Sequence, residues 1–244
     1  MKKLLVIIVL LLGSICLQAQ SFEKDQCRNR RVKKAKKEKE KVLEAYCDRL
    51  GVEYENLTNI YIRAFKREQV LEVWAQGNFG DSYQLVQTYK FCTSSGFLGP
   101  KRKQGDRQIP EGFYFISRFN PTSNYHLSLG INYPNPSDSE LTTYNNLGGD
   151  IFIHGDCQSI GCIPVTDEKI KEVYMFAVKA RNNGQRHIPV HIFPYKFDYY
   201  LDQEGYEDEL LAFWQNLEGG YYYFESNRKP PLVHINNEGR YEYF

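Results

Sequence analysis

Short runs of alternating apolar and polar residues fill the middle of the chain, from about residue 58 to residue 195. The run at 125–133 places Leu127, Leu129 and Ile131 on one face and polar residues on the other, the period of a half-buried strand. The other runs are rich in β-branched and aromatic residues and are separated by Gly, Pro or Asp. The predicted strands cover 60–66, 70–76, 82–92, 113–117, 125–133, 151–153 and 188–193. This pattern predicts a β-rich central domain.

Three further segments have helical patterns. Residues 23–50 are dominated by Lys, Glu, Arg and Ala, contain neither Gly nor Pro, and end at Gly51. A second helix is predicted after Thr166, a good N-cap residue, and before Gly184. A third is predicted around Asp208–Asn216, before a Tyr-rich end. The expected fold class is α+β, mainly β, with a flanking N-terminal helix and a C-terminal helical and aromatic tail.

The first twenty residues have the pattern of a signal peptide. Lys2 and Lys3 precede the apolar run Leu4–Leu12, and small residues follow, with a predicted cleavage site after Ala19. Nine apolar residues are far fewer than the roughly 20 that a spanning helix needs. Export to the periplasm is the prediction. An uncleaved anchor, or a lipoprotein that uses Cys16, is the alternative.

Charge is distributed unevenly along the 244 residues. Residues 28–41 hold nine Lys or Arg against two Glu, a local charge of +7, so the rest of a chain whose net charge is +1 sums to −6. A net charge this small gives no case for nucleic-acid binding. The basic segment is predicted to be a docking helix with a solvated face, and attraction to an acidic envelope polymer is the alternative.

Export makes the cysteine count informative. Cleavage would leave Cys27, Cys47, Cys92, Cys157 and Cys162, an odd number, so at least one thiol stays unpaired or bridges to another molecule. One unbroken helix would hold Cys27 and Cys47 about 30 Å apart and prevent their pairing. Pairing of Cys92 with Cys157 stays open.

The candidate chemistry lies in the segment His154–Cys162, HGDCQSIGC, which follows an apolar strand. A cysteine nucleophile needs a base, a group that orients the base, and backbone donors for the oxyanion. The segment supplies a histidine and a cysteine, each beside a glycine that lets a substrate approach the backbone. The alternative interpretation is a strand end and turn in which the two residues fall near each other without a shared role.

The motif HG…SxGC after an apolar strand resembles the L,D-transpeptidase catalytic domain (YkuD type) of bacterial cell-wall enzymes, and within it the YafK-like branch. The likeness covers roughly residues 58 to 195, and its motifs stand in the family's order. The stretches that carry it are SGFLGPKRKQGDRQIPEGFYFI at 95–116, YHLSLGINYPNPSD at 125–138, GGDIFIHGDCQSIGCIPVTDEKIKEVY at 148–174 and GQRHIPVHIFPY at 184–195.

The resemblance implies a Cys162 nucleophile and a His154 general base. It also implies that the Gly155 carbonyl orients the imidazole and that amides near Gly161 and Cys162 form the oxyanion hole. The implied substrates are peptidoglycan stem peptides, whose acyl group passes to an amine or to water. A peptidoglycan-linked envelope protein is the implied partner of the hydrolytic form. Thiol chemistry of this kind needs no metal or organic cofactor.

Two departures from the wider family concern substrate binding. Ile160 stands where the family usually has a second histidine, and Pro164 stands where it has Arg or Asn, so the usual substrate-binding cation is missing. Cations of the 101–103 loop are candidates to replace it. The predicted substrate-binding residues are Ser159, His126, Lys101 and Arg102.

The predicted organisation is a signal peptide (1–19), a basic helix and linker (20–57), a catalytic domain (58–195) and a C-terminal extension packed on it (196–244). A catalytically silent peptidoglycan-binding module is the alternative function, and a sortase-like peptidase lacks a recognisable catalytic arginine. Asp156 and Cys157 lie too close in sequence to His154 for a tetrahedral metal site, so no metal is predicted. His187 and His191 are expected at a strand edge or turn, without a role.

Overall fold

The structure is a computed structural model that describes residues 22–77, 82–199, 202 and 204–244. The predicted signal peptide lies outside these residues. None of the helices within the described ranges is long and apolar enough to cross a membrane.

An eight-stranded mixed sheet organises the chain, in the order β3-β2-β1-β8-β4-β5-β6-β7. Neighbouring strands are antiparallel except for the parallel pairs β1–β8 and β6–β7. The predicted strands are all present, with shifted ends. The strands are β1 Ile60–Phe65, β2 Val70–Gln76, β3 Tyr83–Lys90, β4 Gly112–Asn120, β5 Ser128–Ile131, β6 Phe152–His154, β7 Ile163–Pro164 and β8 Pro189–Phe193.

Two long helices pack together on one face of the sheet. Helix α1 spans Arg30–Asp48, α2 is the short Pro136–Glu140, and α3 spans Asp167–Asn182. Apolar side chains of α1 and α3 share one core with the inward residues of the strands. Residues 23–50 were predicted to form one helix, and this prediction was wrong because the helix is interrupted. A helical turn at 22–26 ends before Asn29, whose side chain caps α1 by accepting from the Arg31 amide.

The C-terminal segment packs against the other face of the sheet, over β1, β8 and β4. Helix α4 spans Asp208–Asn227, eleven residues beyond its predicted end, and a hairpin of β9 (Val233–Ile235) and β10 (Tyr241–Tyr243) follows. Aromatic side chains of α4 and the hairpin form a second core with Phe65 and Phe193. The main element content confirms an α+β, mainly β fold.

His191 lies in the middle of the sheet, so the expectation of an edge or turn position was wrong. Its strand, β8, pairs with β1 on one side and β4 on the other. His191 Nδ1 is 2.7 Å from the Tyr61 hydroxyl, and burial lowers the pKa of His191 to about 3. A neutral histidine bonded to a buried hydroxyl is part of the core. His187 lies in the turn before β8, as expected.

Candidate active site

Strand pairing brings His154 and Cys162 to one face of the sheet. β6 and β7 are parallel, and Ile153 lies opposite Ile163. One residue earlier on each segment, the same register puts Cys162 beside Phe152. Because successive side chains point to opposite faces, His154, Phe152 and Cys162 share one face while Ile153 and Ile163 enter the core. Strand spacing and rise place the Cα atoms of His154 and Cys162 about 8 Å apart.

Both side chains open into one groove of about 690 Å³. His154 forms part of its wall and is 1% exposed, whereas Cys162 is half-buried. Tyr125 lies against the imidazole with ring centroids 4.6 Å apart, and Ser128 pairs with His154 across β5 and β6. Sequence reasoning assigned no role to Tyr125 or Ser128, because contacts between separate strands leave no local signal.

The imidazole of His154 is held in one tautomer. Its Nδ1 forms a short hydrogen bond with the Gly155 carbonyl oxygen, and since a carbonyl only accepts, Nδ1 carries the proton. Nε2 is then the basic nitrogen. Burial lowers the pKa of His154 below its usual 6.5, while the Gly155 carbonyl and the Asp156 charge act in the other direction. The ring is therefore neutral at pH 7 and able to accept a proton.

The Cys162 sulfur is a neutral thiol at rest. Burial raises the pKa of Cys162 above 9, although a hydrogen bond from the Phe152 backbone lowers it. The charge of Lys101 lowers this pKa too, and that of Asp150 raises it. The thiol lies 3.6 Å from the Asp150 carbonyl oxygen, to which it donates. A neutral thiol beside a neutral imidazole needs proton transfer during attack rather than a preformed ion pair.

Gly155 is a position where a side chain does not fit. A Cβ there would lie 2.6 Å from Asp167 Oδ1 and 3.0 Å from the Tyr125 carbonyl oxygen. The same Asp167 oxygen accepts a hydrogen bond of 2.8 Å from the Asp156 amide. The first turn of α3 thus fixes the loop that carries the oriented histidine. Sequence reasoning assigned Asp167 no role at the site, because its contact with the Asp156 amide joins two separate elements.

A disulfide joins Cys92 to Cys157, with Cα atoms 5.4 Å apart. Cys157 lines the groove within the loop between His154 and Cys162. Cys27, Cys47 and Cys162 are free thiols. The pairing that the sequence left open is therefore settled, and Cys162 keeps a free sulfur.

Among the predicted substrate-binding residues, Ser159 lines the groove and His126 does not. Ser159 Oγ donates to the Cys162 carbonyl oxygen at 2.8 Å and accepts from the Gly161 amide at 3.2 Å. These bonds fix the turn before Cys162. His126 faces Asp167, with a nitrogen–oxygen distance of 4.0 Å, and burial lowers its pKa.

The cations Lys101 and Arg102 are bound elsewhere. Lys101 is buried with its Nζ 2.6 Å from Asp106 Oδ1, and Arg102 Nη1 lies 2.9 Å from Asp138 Oδ1. Both ion pairs shape the 101–106 loop, and neither side chain lines the groove. Their predicted substrate contacts stay a prediction. Across the described ranges, no group of three His, Cys, Asp or Glu side chains is arranged to hold a metal ion.

The chain belongs to the family of L,D-transpeptidase catalytic domains. The profile of that family, YkuD, matches residues 59–192, more than half of the chain. The resemblance seen in the sequence motifs is thereby confirmed. The matched residues begin one residue before β1 and end within β8, so they include the sheet except for the last residue of β8, and they include the His154–Cys162 segment.

The curated relative YafK of Escherichia coli (strain K12) is 40% identical over 185 residues, 75% of this chain and 72% of that protein. Its name assigns it as an L,D-transpeptidase without establishing the activity. Among solved structures, the helical cell shape determining protein Pgp2 of Campylobacter jejuni aligns with a TM-score of 0.44 at 17% identity, over 79% of each chain. Bd1075 of Bdellovibrio bacteriovorus aligns with a TM-score of 0.41 at 24% identity, over 58% of this chain and 50% of that one.

Proposed function

We propose that the protein is a periplasmic cysteine acyltransferase of the L,D-transpeptidase type that acts on peptidoglycan stem peptides. The observation that carries the proposal is the tautomer of His154. The Gly155 carbonyl accepts a hydrogen bond from Nδ1–H, so Nε2 is the basic nitrogen of a ring that lines the groove into which the free Cys162 thiol opens. Membership of the L,D-transpeptidase family supplies the substrate class.

In the proposed reaction, the Cys162 sulfur attacks the carbonyl carbon of a diamino acid's L-centre as its proton passes to His154 Nε2. A sulfur–carbon bond forms, and the carbonyl π electrons move to the oxygen. Backbone amides near Gly161 and Cys162 are the proposed donors to that oxyanion. Collapse of the intermediate breaks the carbon–nitrogen bond, and His154 returns the proton to the leaving amine. The product is a thioester on Cys162.

An amine or a water molecule then attacks the thioester, and His154 removes a proton from that nucleophile. Attack by an amine makes a new amide, which is transpeptidation. Attack by water makes a carboxylate and frees the stem peptide from Cys162. Where the amine lost in the first step belongs to a peptidoglycan-linked envelope protein, that first step is what detaches the protein. Both outcomes use the same acyl-enzyme, so the first test addresses the thioester.

Intact-protein mass spectrometry after incubation with a carbapenem or a tetrapeptide stem tests the acyl-enzyme. The expected result is one adduct on the wild type and none on Cys162→Ala. Cys27→Ala is the control, because Cys27 is a half-buried free thiol outside the groove, and it should also form one adduct. Wild-type protein that labels no more than Cys162→Ala contradicts the proposal. Salt-sensitive sacculus binding in that case would favour the silent peptidoglycan-binding module.

Profiling of the muropeptides from a deletion strain separates the two fates of the thioester. Loss of 3–3 crosslinks indicates an amine acceptor. Retention of protein-linked stem peptides indicates that water is the acceptor.

A further inference from the structure

A row of side chains crosses four strands on the groove face and leads to the nucleophile. Arg118 on β4 lies opposite Gly130 on β5, and Gly130 lies opposite Phe152 on β6. The parallel register of β6 and β7 then sets Cys162 beside Phe152. Arg118 is therefore in the same cross-strand row as Cys162.

A β-bulge turns Arg118 to the face of the sheet on which the groove lies. The register of β4 and β5 shifts between Ile116 and Arg118, so Ser117 is an extra residue on β4. Ile116 is buried in the core, and without the bulge Arg118, two residues later, would point the same way. Bulges beside active sites often re-aim a side chain in this manner.

Gly130 leaves space for the arginine to reach across the sheet. A Cβ at Gly130 would lie 3.0 Å from the Phe152 ring and 3.3 Å from the Arg118 Cβ. With no side chain between them, the guanidinium carbon of Arg118 lies 4.7 Å from the centroid of the Phe152 ring. Phe152 itself lines the groove. The cation is thus held over the ring of Phe152, a residue of the groove wall, although Arg118 is not itself one of the residues that line the groove.

Asp150 completes a pair of opposite charges at this place. Arg118 Nη2 lies 2.5 Å from Asp150 Oδ1, with the two side chains 55% and 81% exposed. Among the described residues that line the groove, Asp150 is the one that is an Asp, Glu, Lys or Arg. An exposed pair like this adds little to stability, and the guanidinium keeps further donors free for a ligand.

We propose that Arg118 and Asp150 bind the free end of the diamino acid in the stem peptide, a carbon that carries both a carboxylate and an ammonium group. The carboxylate is bound by the Arg118 guanidinium through paired N–H···O bonds, and the ammonium is bound by Asp150. This inference rests on the proposed function for the identity of the substrate. It assigns the substrate-binding cation to Arg118, because Lys101 and Arg102 are engaged with Asp106 and Asp138.

The test measures peptide binding by calorimetry in the Cys162→Ala background, where no chemistry interferes. Two tetrapeptides are compared, one with diaminopimelate at the third position and one with lysine, which keeps the amine and lacks the carboxylate. Arg118→Gln is expected to weaken binding of the diaminopimelate peptide roughly ten- to hundredfold and to leave binding of the lysine peptide unchanged. Asp150→Asn is expected to weaken binding of both peptides. The matched control is Arg240→Gln, which alters an exposed arginine of the C-terminal hairpin.

Equal losses for the two peptides in Arg118→Gln, or no loss for either, would overturn the assignment. Thermal unfolding of each variant shows that the fold is intact. Acyl-enzyme formation is measured in parallel on the protein that keeps Cys162. Selective binding without acylation contradicts the proposed chemistry and leaves the Arg118 site standing. Acylation at equal rates with both peptides contradicts the Arg118 site and leaves the proposed chemistry standing. A protein that neither binds nor is acylated contradicts both.

Discussion

Cys92 is bonded to Cys157 across the two ends of the sheet. Cys92 follows β3, the first strand in the sheet order, and its amide donates to the carbonyl of Pro164 in β7, the last strand, at 3.1 Å. Ser95 and Ser159 add a contact of 3.1 Å between the same two segments. The open sheet is thus closed at the loop that carries the His154–Cys162 segment, so we expect the disulfide to affect both the stability of the fold and the shape of the groove.

Reduction of this disulfide is expected to lower the free energy of unfolding by about 4 kcal/mol, the chain-entropy value for a closed loop of 65 residues. The measurement is urea unfolding with and without a reductant. Reduction should also slow acylation of Cys162, since Cys157 lines the groove. The double variant Cys92→Ser/Cys157→Ser is the control and should be insensitive to reductant. Equal stability of the two redox forms contradicts this prediction.

The acylation rate is expected to remain high at mildly acidic pH. His154 acts as a base only when neutral, and burial lowers the pKa of His154 below 6.5. The rate should therefore fall only as the pH drops through that lowered value. On the alkaline side, burial raises the pKa of Cys162 above 9, so direct alkylation by iodoacetamide should still increase beyond pH 9. A rate that halves at pH 7 or above during acidification argues against a buried neutral His154.

Most strands and the His154–Cys162 segment were predictable from the sequence because their signals are local. Alternation along 125–133 correctly placed Leu127 and Leu129 in the core. The helix after Thr166 was also predicted within a residue or two, although the Thr166 side chain makes no capping hydrogen bond. Periodicity within one element decides which face is buried, so it needs no knowledge of the neighbours.

The parts that were missed depend on which strands become neighbours. His191 was expected at an edge, yet β8 is inserted between β1 and β4 by a parallel pairing that links residues far apart in sequence. Arg118 lies on the groove side of the sheet because of a bulge, a one-residue shift without a clear sequence signal. Lys101 and Arg102 were considered for the substrate because their partners, Asp106 and Asp138, could not be identified from spacing.

The buried ion pair of Lys66 and Glu111 is expected to be a main support of the C-terminal extension. Lys66 Nζ lies 2.8 Å from Glu111 Oε1, and the other carboxylate oxygen accepts from Trp214 Nε1 on α4 at 2.8 Å. Glu111→Gln leaves the Lys66 charge without its counter-ion in the core, so the free energy of unfolding should fall by about 3–5 kcal/mol. Chemical denaturation measures this change.

Glu238→Gln is the matched control for that substitution. Glu238 is exposed, and its Oε2 lies 3.6 Å from Arg240 Nε. Its substitution should therefore lower the free energy of unfolding by less than about 0.5 kcal/mol. Adding Lys66→Met to Glu111→Gln removes the unpaired charge and should recover part of the stability. A Glu111→Gln variant as stable as Glu238→Gln would mean that the buried pair contributes little.

Gly155→Ala is expected to impair catalysis more than folding. The added Cβ would lie 2.6 Å from Asp167 Oδ1 and 3.0 Å from a methyl group of Ile170, so the loop must move and take the Gly155 carbonyl with it. His154 Nδ1 then loses its fixed partner, and misplacement of the base by about 1 Å can cost roughly a hundredfold in acylation rate. The overpacking itself should cost about 1–3 kcal/mol of stability.

Gly149→Ala, where no atom lies within 4 Å of the added Cβ, is the control and should acylate like the wild type. Unchanged acylation in Gly155→Ala, measured by intact mass against time, would remove the Gly155 carbonyl from the mechanism.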